Sequence, residues 1–404
     1  MWSTSGAATD FVTRLLSFKQ GIGVHATQPM NHDIIVIGGG PAGSSAALRA
    51  AQLGARVLLL EKDPMPRPKL CGGWVSRYAL SLLPFELPRD LIEVPFRSME
   101  LTDGTSRVTI TPSVSLGVLV DRATFDQYLL EQARLAGAEV RWEKAIDVLP
   151  ESSEIQVRTS DSRYTAGGVI ICTGASGELV KTVRLPDTIH QSAACVEQRL
   201  SADFADLLNV GEGDGRFFFG GTACGFGWVL HHGSYLLVGI GQRRDLGSDL
   251  VANFTRFCDS LALPREVIHH TGHLVPLGGH SRKLGQGRCL LAGDAAGMVD
   301  AQNGEGIAGA IESGRLAAKA LATGSSSNAA AAYSTLCEWS LLPHLRWSRR
   351  FAWGFYHSSR WALKALETIP HSLEQYMNVL ERRQSYPRYL FWIITQRLLR
   401  LRSG

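Results

Sequence analysis

The stretch that decides the fold of this 404-residue chain is Asp33-Ile-Ile-Val-Ile37-Gly38-Gly-Gly40-Pro-Ala-Gly43. Its apolar residues predict a short buried strand, its glycines a tight turn, and the alanine-rich residues 41–53 a helix. A second buried strand, 56–60, ends at Glu61. The spacing Gly-x-Gly-x-x-Gly between a strand and a helix, with an acid at the end of the next strand, is typical of a dinucleotide-binding βαβ unit.

Each position of this fingerprint has a physical reason. Gly38 permits the tight turn, Gly40 lets backbone N–H groups approach a pyrophosphate, and Gly43 allows close packing of helix on strand. The Glu61 carboxylate can accept both ribose hydroxyls. A lone glycine motif would fit a merely structural turn as well, but here strand, helix and acid are all in register. We predict that the dinucleotide is bound by Gly38, Gly40, Ala42, Gly43 and Glu61.

A second turn near the other end of the chain indicates which dinucleotide is bound. The buried strand 289–292 opens into Gly293-Asp294, where the carboxylate can bond a ribityl or phosphate-side hydroxyl. Ten residues on, Gly304-Glu-Gly306-Ile307 begins a helix whose free N–H groups and positive dipole end can face the pyrimidine edge of a flavin. Two contact regions about 250 residues apart suit FAD, an elongated ligand, better than NAD. The alternative is an ordinary acid-capped turn.

Changes of pattern along the chain predict an α/β fold: a Rossmann-like FAD-binding domain, an antiparallel β-rich substrate domain and a C-terminal helical segment. The β-rich part is recognised by short alternating segments separated by glycines. The predicted parts are a flexible extension (1–29), the FAD-binding domain (30–75, 118–185 and 283–325), the substrate domain (76–117 and 186–282) and a helical, basic, tryptophan-rich segment (326–404).

Composition and charge exclude several classes of protein. With 45% hydrophobic and 19% charged residues, the chain is neither disordered nor collagen-like. The net charge of +4 comes from residues 338–404, which hold 11 Lys and Arg against 4 Asp and Glu, so the remainder is negative and no nucleic-acid partner is expected. Seven cysteines, odd in number and scattered, predict a reducing cytoplasm. We expect neither a signal peptide nor a spanning helix.

The histidine pairs predict no metal site. His231-His232 and His269-His270 lie in or beside predicted strands, where neighbouring side chains point to opposite faces, so neither pair chelates well.

Residues 386–404 predict an amphipathic helix with arginines beside its apolar stripe. The stripe consists of Leu390, Phe391, Ile394, Leu398 and Leu401. A short helix that carries Trp and Arg can lie in the headgroup region of an anionic membrane, and it can equally dock on the protein or on a second copy. We expect peripheral membrane contact through this helix, with the docked arrangement as the open alternative.

Three further segments join the N-terminal fingerprint in one pattern. They are Arg67-Pro-Lys-Leu-Cys71-Gly-Gly73, Val120-Asp-Arg122-Ala-Thr-Phe-Asp126, and Gly293-Asp-Ala-Ala-Gly297 with Gly304-Glu-Gly306-Ile307. Together they resemble the geranylgeranyl reductase family of FAD-dependent oxidoreductases, within the hydroxylase-like flavoprotein class. The resemblance covers about residues 32–322, and the Lys-x-Cys-Gly-Gly loop is its most specific element. It implies the para-hydroxybenzoate hydroxylase-like fold and FAD as the cofactor.

The resemblance also implies roles for single residues. Arg122 would contact the FAD, and Ala145 would lie against the adenine through its backbone. Cys71, Gly72 and Gly73 would sit beside the isoalloxazine, where small residues leave room for flavin and substrate together.

The family's Tyr-x-Trp-x-Phe-Pro segment, which lines a lipid channel, appears here as Phe226-Gly-Trp228-Val-Leu230-His231. The Asn-Pro that precedes the Gly-Glu-Gly turn is Asp300-Ala301. We expect Phe226, Trp228 and Leu230 to line the substrate site; aromatics that alternate on a strand fit a plain core equally well.

The activity implied is reduction of isolated C=C bonds in a prenyl lipid, with hydride from reduced flavin and a proton from the protein. Cys71 is the candidate proton donor, and simple packing of its sulfur on the ring is the alternative. The lipid could be a geranylgeranyl diphosphate, a prenylated glycerolipid or an isoprenoid quinone. A monooxygenase or halogenase of the same fold is a second reading, and a flavin-binding protein without turnover is a third.

The external electron donor stays open. No second glycine-rich βαβ unit for NADPH is visible, so NADPH, ferredoxin and other donors all fit the sequence. Oligomeric state is also left open.

Overall fold

The computed structural model describes residues 31–151, 154–222, 224–247, 249–264, 270–323 and 328–403. The predicted extension 1–29, His269 and residues 324–327 lie outside these ranges. The strands are β1 (Asn31–Ile37), β2 (Val57–Leu60), β3 (Trp74–Ser76), β4 (Val94–Phe96), β5 (Ser98–Thr102), β6 (Arg107–Ile110), β7 (Gly117–Leu119), β8 (Glu139–Arg141), β9 (Ala145–Pro150), β10 (Ile155–Thr159), β11 (Arg163–Ile171), β12 (Ser192–Ser201), β13 (Asp214–Phe219), β14 (Phe226–His231), β15 (Tyr235–Arg243), β16 (Thr271–Pro276), β17 (Gly285–Gln286) and β18 (Cys289–Leu291). The helices are α1 (Pro41–Gln52), α2 (Arg77–Leu82), α3 (Arg122–Leu135), α4 (Ala205–Leu208), α5 (Leu250–Ser260), α6 (Ile307–Thr323), α7 (Ala329–Ser340), α8 (Leu342–His357), α9 (Ser359–Thr368), α10 (Ser372–Leu380) and α11 (Tyr386–Ser403).

One sheet, called here the parallel sheet, has the strand order β17-β18-β11-β1-β2-β8, with β10 and β9 attached to β11. Its central strands β18, β11, β1, β2 and β8 run parallel. All of β2 is buried, as expected for an apolar strand covered on both faces. Helix α1 packs against α3 and α6 over this sheet. The predicted strand, glycine turn and helix at 33–53 are therefore confirmed to within two residues.

A second sheet, called here the antiparallel sheet, has the order β16-β12-β15-β14-β13-β5-β6. Most of its pairs are antiparallel, but β13 pairs with β5 in parallel. One face of the sheet packs on α5 through Val196, Val238 and Phe254. The other face carries the alternate residues of each strand and bounds a cavity. A small antiparallel sheet has the order β3-β7-β4.

The predicted helical character of the C-terminal segment is confirmed by α7 to α11. Helix α7 completes the core of the parallel sheet, since Tyr333 and Cys337 are fully buried there and the Tyr333 hydroxyl donates to the Leu291 carbonyl at 2.8 Å. Helices α9 to α11 instead join the core of the antiparallel sheet, where Leu363 and Tyr389 are buried. Within the described ranges, no helix is long and apolar enough to cross a membrane.

Candidate active site

The glycine turn between β1 and α1 leaves space only where a ligand is expected. A Cβ on Gly38, whose φ is +104°, would lie 2.4 Å from the Cys172 carbonyl oxygen, and one on Gly43 would lie 1.8 Å from the Gly38 oxygen. Gly40 differs, because its nearest neighbour would be the Arg67 guanidinium at 3.6 Å. The helix N-terminus therefore faces an open volume bordered by a cation, which suits a pyrophosphate.

Glu61 fixes this turn. Its side chain is 3% exposed, and its Oε2 accepts the Gly39 N–H at 2.6 Å. The Arg67 guanidinium lies 3.6 Å from Glu61 and 3.8 Å from Asp126. Sequence reasoning missed Arg67 and Asp126 as parts of this site, although both lie inside the quoted family motifs. The turn, the acid and the guanidinium together offer partners for a ribose and for a diphosphate.

Arg122 lies behind the same volume and is held rigidly. It is buried, and its guanidinium donates two hydrogen bonds to the Asp126 carboxylate at 2.8 and 2.9 Å. Burial alone lowers the pKa of Arg122, but the Asp126 carboxylate and the neighbouring Cys71 sulfur outweigh burial and raise it. A permanent positive charge therefore stands between the glycine turn and the Cys71 loop.

The loop Cys71–Gly73 is held in place by His232. A Cβ on Gly73, whose φ is +70°, would lie 2.4 Å from the Val120 carbonyl oxygen. His232 donates from Nε2 to the Gly72 carbonyl at 3.1 Å, while its Nδ1 lies 2.5 Å from the Glu93 carboxylate. His232 thus positions the loop, a role that the sequence did not suggest.

The turns that follow β18 are confirmed as predicted. Gly293 adopts φ +62°, and α6 begins at Ile307 after a left-handed Gly304. Burial raises the pKa of the Asp294 carboxyl, against the opposing charges of Lys69 and Arg122. The N-terminus of α6 opens toward the cavity, because Gly304, Gly306 and Ile307 all line it.

The cavity has a volume of about 380 Å³. Its walls are the free face of the antiparallel sheet, the 71–74 loop, the 301–307 turn and helix α8. The predicted residues that the structure brings together in its lining are Cys71, Gly72, Gly73, Phe226, Trp228, Leu230, Gly304, Gly306 and Ile307. The predicted residues outside the lining are Gly38, Gly40, Ala42, Gly43, Glu61, Arg122, Ala145, Gly293 and Asp294. Ala145 begins β9 and is half-buried against the parallel-sheet core, so its contact with adenine stays a prediction.

Glu197 and His273 are ionisable residues of the cavity wall that sequence reasoning missed. Glu197 on β12 is 3% exposed, and its Oε2 finds no hydrogen-bond partner among the described residues. Burial raises its pKa to about 7, although the Cys71 N–H and the charges of Lys69, Arg199 and Arg122 act in the other direction. His273 on β16 also faces the cavity, and burial with Lys69 and Arg122 lowers its pKa to about 4. The sequence signal that could have found Glu197 was an acid that alternates with small residues along a buried strand.

Another part of the lining is basic. Arg243, Arg349, Arg350 and His280 all line the cavity, and Arg349 and Arg350 are exposed, so the cavity reaches the surface beside them. Burial and the charges of Arg282, Arg349 and Arg243 lower the pKa of His280 to about 4. Arg243 is paired with Asp245 at 2.5 Å, and the Arg349 Nε donates to the Gly279 carbonyl at 3.1 Å.

Within the described parts of the chain, no group of three or more His, Cys, Asp or Glu side chains could hold a metal ion. The polar groups of the glycine turn and of the cavity instead suit an elongated dinucleotide that ends in a flavin. A pyrophosphate can meet the α1 N-terminus and Arg67, while a flavin ring can lie between the Cys71 loop and the α6 N-terminus.

Comparison with known proteins agrees with this geometry. Residues 33–198 match the family model described as FAD dependent oxidoreductase. The chain is 28% identical over 319 residues to the chloroplastic geranylgeranyl diphosphate reductase of Nicotiana tabacum, covering 73% of this chain and 67% of the relative. It is 29% identical over 315 residues to digeranylgeranylglycerophospholipid reductase 2 of Methanothermobacter thermautotrophicus, covering 73% and 80%.

A solved structure shows the same fold. A geranylgeranyl bacteriochlorophyll reductase-like protein from Thermoplasma acidophilum matches with a TM-score of 0.75 at 22% identity, over 91% of this chain and 99% of that one. This likeness covers more of the chain than the family model, which ends at residue 198.

Proposed function

Because the chain is an FAD-dependent oxidoreductase similar to geranylgeranyl reductases, we propose that it reduces isolated C=C bonds of a geranylgeranyl-type prenyl lipid. The observation that carries this proposal is the cavity itself. It joins the Cys71 loop and the α6 N-terminus to an aromatic and aliphatic wall that includes Phe226, Trp228 and Leu230. Such a wall suits a polyprenyl chain laid beside a flavin.

Bound FAD in its reduced form is the hydride source that this chemistry needs. The chain's own residues bind and orient. Glu61 and the β1–α1 turn would hold the adenosine, while Arg67 and Arg122 would neutralise the diphosphate. Gly72 and Gly73 would admit the flavin and the alkene together, because neither carries a side chain that would separate them.

The apolar wall excludes water from the reacting bond. Trp228 is 8% exposed, and its ring stands 5.8 Å from that of Phe226, so the two aromatics form a continuous surface. The external donor, whether NADPH, ferredoxin or another reductant, is left to experiment.

We further propose that the substrate carries an anionic head group, because the part of the cavity that reaches the surface is lined by Arg243, Arg349 and Arg350. Guanidinium groups suit phosphate oxygens, and among the described residues Arg349 and Arg350 have no carboxylate partner, whereas Arg243 is paired with Asp245. Exchanging Arg349 for Gln should raise KM for geranylgeranyl diphosphate by about tenfold and change KM for the uncharged alcohol geranylgeraniol little. Equal effects on both substrates would contradict a head-group role.

The C-terminal helix α11 is proposed to meet the membrane surface. Its exposed apolar side chains Phe391, Ile394 and Leu398 would enter the headgroup region.

The proposed activity is tested by reducing the holoprotein anaerobically with dithionite and then adding geranylgeranyl diphosphate. Reoxidation of the flavin, with lipid products heavier by two hydrogen atoms for each reduced bond, is the expected result. The alternative function, a monooxygenase or halogenase, predicts that the flavin stays reduced until air is admitted. A flavin that stays reduced with the lipid, and that air reoxidises without an oxygenated or halogenated product, would support neither function.

A further inference from the structure

Glu197 is a buried carboxyl in the cavity wall, close to the Cys71 loop. Strand β12 alternates, so Ala193, Cys195 and Glu197 point into the cavity while Val196 packs on the α5 side. The backbone N–H of Cys71 is close enough to the Glu197 carboxyl to lower its pKa. The Glu197 carboxyl therefore lies beside the loop that is expected to face the flavin, although Glu197 is distant from Cys71 in sequence.

The surroundings of Glu197 allow it to hold a proton and then release it. Its Oε2 is buried and has no hydrogen-bond partner among the described residues, which disfavours the charged form. The positive charges of Lys69, Arg199 and Arg122 lower the pKa of Glu197 and so act against burial. Cys195 and His273 line the same cavity. A carboxylate formed during reaction would be stabilised by these cations and by the Cys71 N–H.

We propose that Glu197 is the acid that protonates the substrate alkene, an inference that rests on the proposed prenyl reduction. The π bond of the C=C group breaks, and two C–H bonds form. One takes a hydride, with both electrons, from the two-electron-reduced flavin, which is thereby oxidised. The other takes the proton of the Glu197 carboxyl, which becomes a carboxylate and regains a proton from water when the product leaves.

The other ionisable groups of the wall fit this role less well. Burial also raises the pKa of Glu305 to about 7, but its carboxyl is held by a hydrogen bond from the Ser76 side-chain hydroxyl, whereas the Glu197 Oε2 has no such partner among the described residues. His273 is neutral at physiological pH, since burial and nearby cations lower its pKa to about 4. The backbone N–H of Cys71 lowers the pKa of Glu197, and we assign Cys71 to positioning.

The test compares the wild-type holoprotein with E197Q, E197D and a matched control, E100Q. Glu100 is in the same sheet, partly buried and paired with Arg216, but it does not line the cavity. Anaerobic reoxidation of the dithionite-reduced flavin by geranylgeranyl diphosphate is followed across pH. E197Q should be slower by about 100-fold or more, with E197D intermediate and E100Q unchanged. The wild-type rate should fall above about pH 7, and E197Q should lack that fall.

A second measurement does not depend on turnover. The infrared difference between wild type and E197Q should show a protonated carboxyl stretch at pH 6 that disappears at pH 9. A C71A variant keeps the backbone N–H and should keep the fall of the rate with pH. If wild type reduces the lipid and E197Q does so at a similar rate with the same pH profile, Glu197 is not the donor. If wild type reduces no prenyl lipid, the proposed function itself fails and the donor role fails with it.

Discussion

Gly43 shows how a single hydrogen in place of a side chain sets the packing of α1 on β1. A Cβ at this position would lie 1.8 Å from the Gly38 carbonyl oxygen, a distance that no rotamer change can relieve. We predict that Gly43→Ala destabilises the protein by about 1–3 kcal/mol and lowers its FAD content. Thermal unfolding and the flavin absorbance per mole of protein measure both effects.

The control for this prediction is Gly354→Ala, at an exposed position in the last turn of α8. A Cβ there would meet nothing within 4 Å, so the same exchange should raise stability by about 0.5–1 kcal/mol. Equal effects of the two exchanges would show that close packing at Gly43 has no special weight.

Glu197 also predicts a pH dependence of stability. Its pKa is raised by burial from 4.5 to about 7 in the folded protein, so the folded state holds a proton that the unfolded state loses first. Stability from this group is full below about pH 4.5 and declines as the pH rises to about 7. E197Q lacks the carboxyl, so its stability should not decline in this way. The free energy of unfolding of E197Q minus that of wild type should therefore increase between about pH 4.5 and about pH 7, by at most about 3 kcal/mol.

Chemical unfolding of the holoproteins at several pH values measures this difference. E100Q should behave differently, because it breaks the ion pair with Arg216 at 2.8 Å and loses stability at neutral pH. A difference between E197Q and wild type that is the same at pH 5 and pH 8 would contradict the raised pKa.

Single residues differ in how far the sequence could predict them. Glu61 was found because its place follows from local order, an acid at the end of the strand after the glycine turn. Glu197 was not found, because its position depends on the tertiary pairing of β12 with β15 and β16. It lies near the Cys71 loop although the two are more than a hundred residues apart in sequence. Periodicity tells which residues share a face of a strand, but it does not tell what that face meets.

At the scale of elements, helix α11 shows the docked arrangement, and its contact with a membrane stays a prediction. Tyr386 and Tyr389 are 1% exposed and pack in the core of the antiparallel sheet. Of the predicted stripe, Phe391, Ile394 and Leu398 remain 74%, 57% and 56% exposed, while Leu390 is half-buried and the side chain of Leu401 lies outside the description. The helix is docked by one face and leaves apolar side chains on the other.

We predict that the triple exchange F391S/I394S/L398S lowers binding to vesicles containing phosphatidylglycerol by about tenfold or more, because those side chains would enter the interface. Folding should change little, since all three are exposed. Co-sedimentation measures the bound fraction. The control is L185S/L207S/L246S, which exchanges exposed leucines outside the C-terminal helices. Equal loss in both triples, or no loss in either, would exclude α11 as the membrane contact.

Elements built from local pattern were predicted well, and elements fixed by tertiary pairing were not. The boundaries of α1, α3 and α5 follow from turns, caps and spacing; Asp121 and Asp249, for example, cap α3 and α5. The parallel pairing of β5 with β13 joins strands that are more than a hundred residues apart, and nothing local encodes it. The same holds for α8, which was predicted as a helix but not as a wall of the cavity.

At the scale of the whole molecule, the cavity is lined by segments from three parts of the fold, and these segments are separated in sequence. The parallel-sheet part contributes the Cys71 loop and the 301–307 turn, the antiparallel sheet contributes its free face, and the C-terminal segment contributes α8. A long apolar substrate beside a flavin needs all three, because each supplies a different wall. The domain boundaries predicted from sequence stay a prediction, but the C-terminal segment is built into both main cores.

This arrangement predicts how the protein responds to truncation. A chain that ends at Thr323 loses Tyr333, Cys337, Leu341 and Leu345, all fully buried in the core of the parallel sheet. At about 1.5–3 kcal/mol for each buried side chain, the loss rivals the whole stability of a typical domain. We expect this truncation to yield protein that neither retains FAD nor unfolds cooperatively. A chain that ends at Leu380 loses Tyr386 and Tyr389, so it should stay yellow and unfold at a lower temperature. Flavin absorbance and calorimetry separate the two, and a yellow, cooperatively unfolding protein that ends at Thr323 would show that the helices are an appendage.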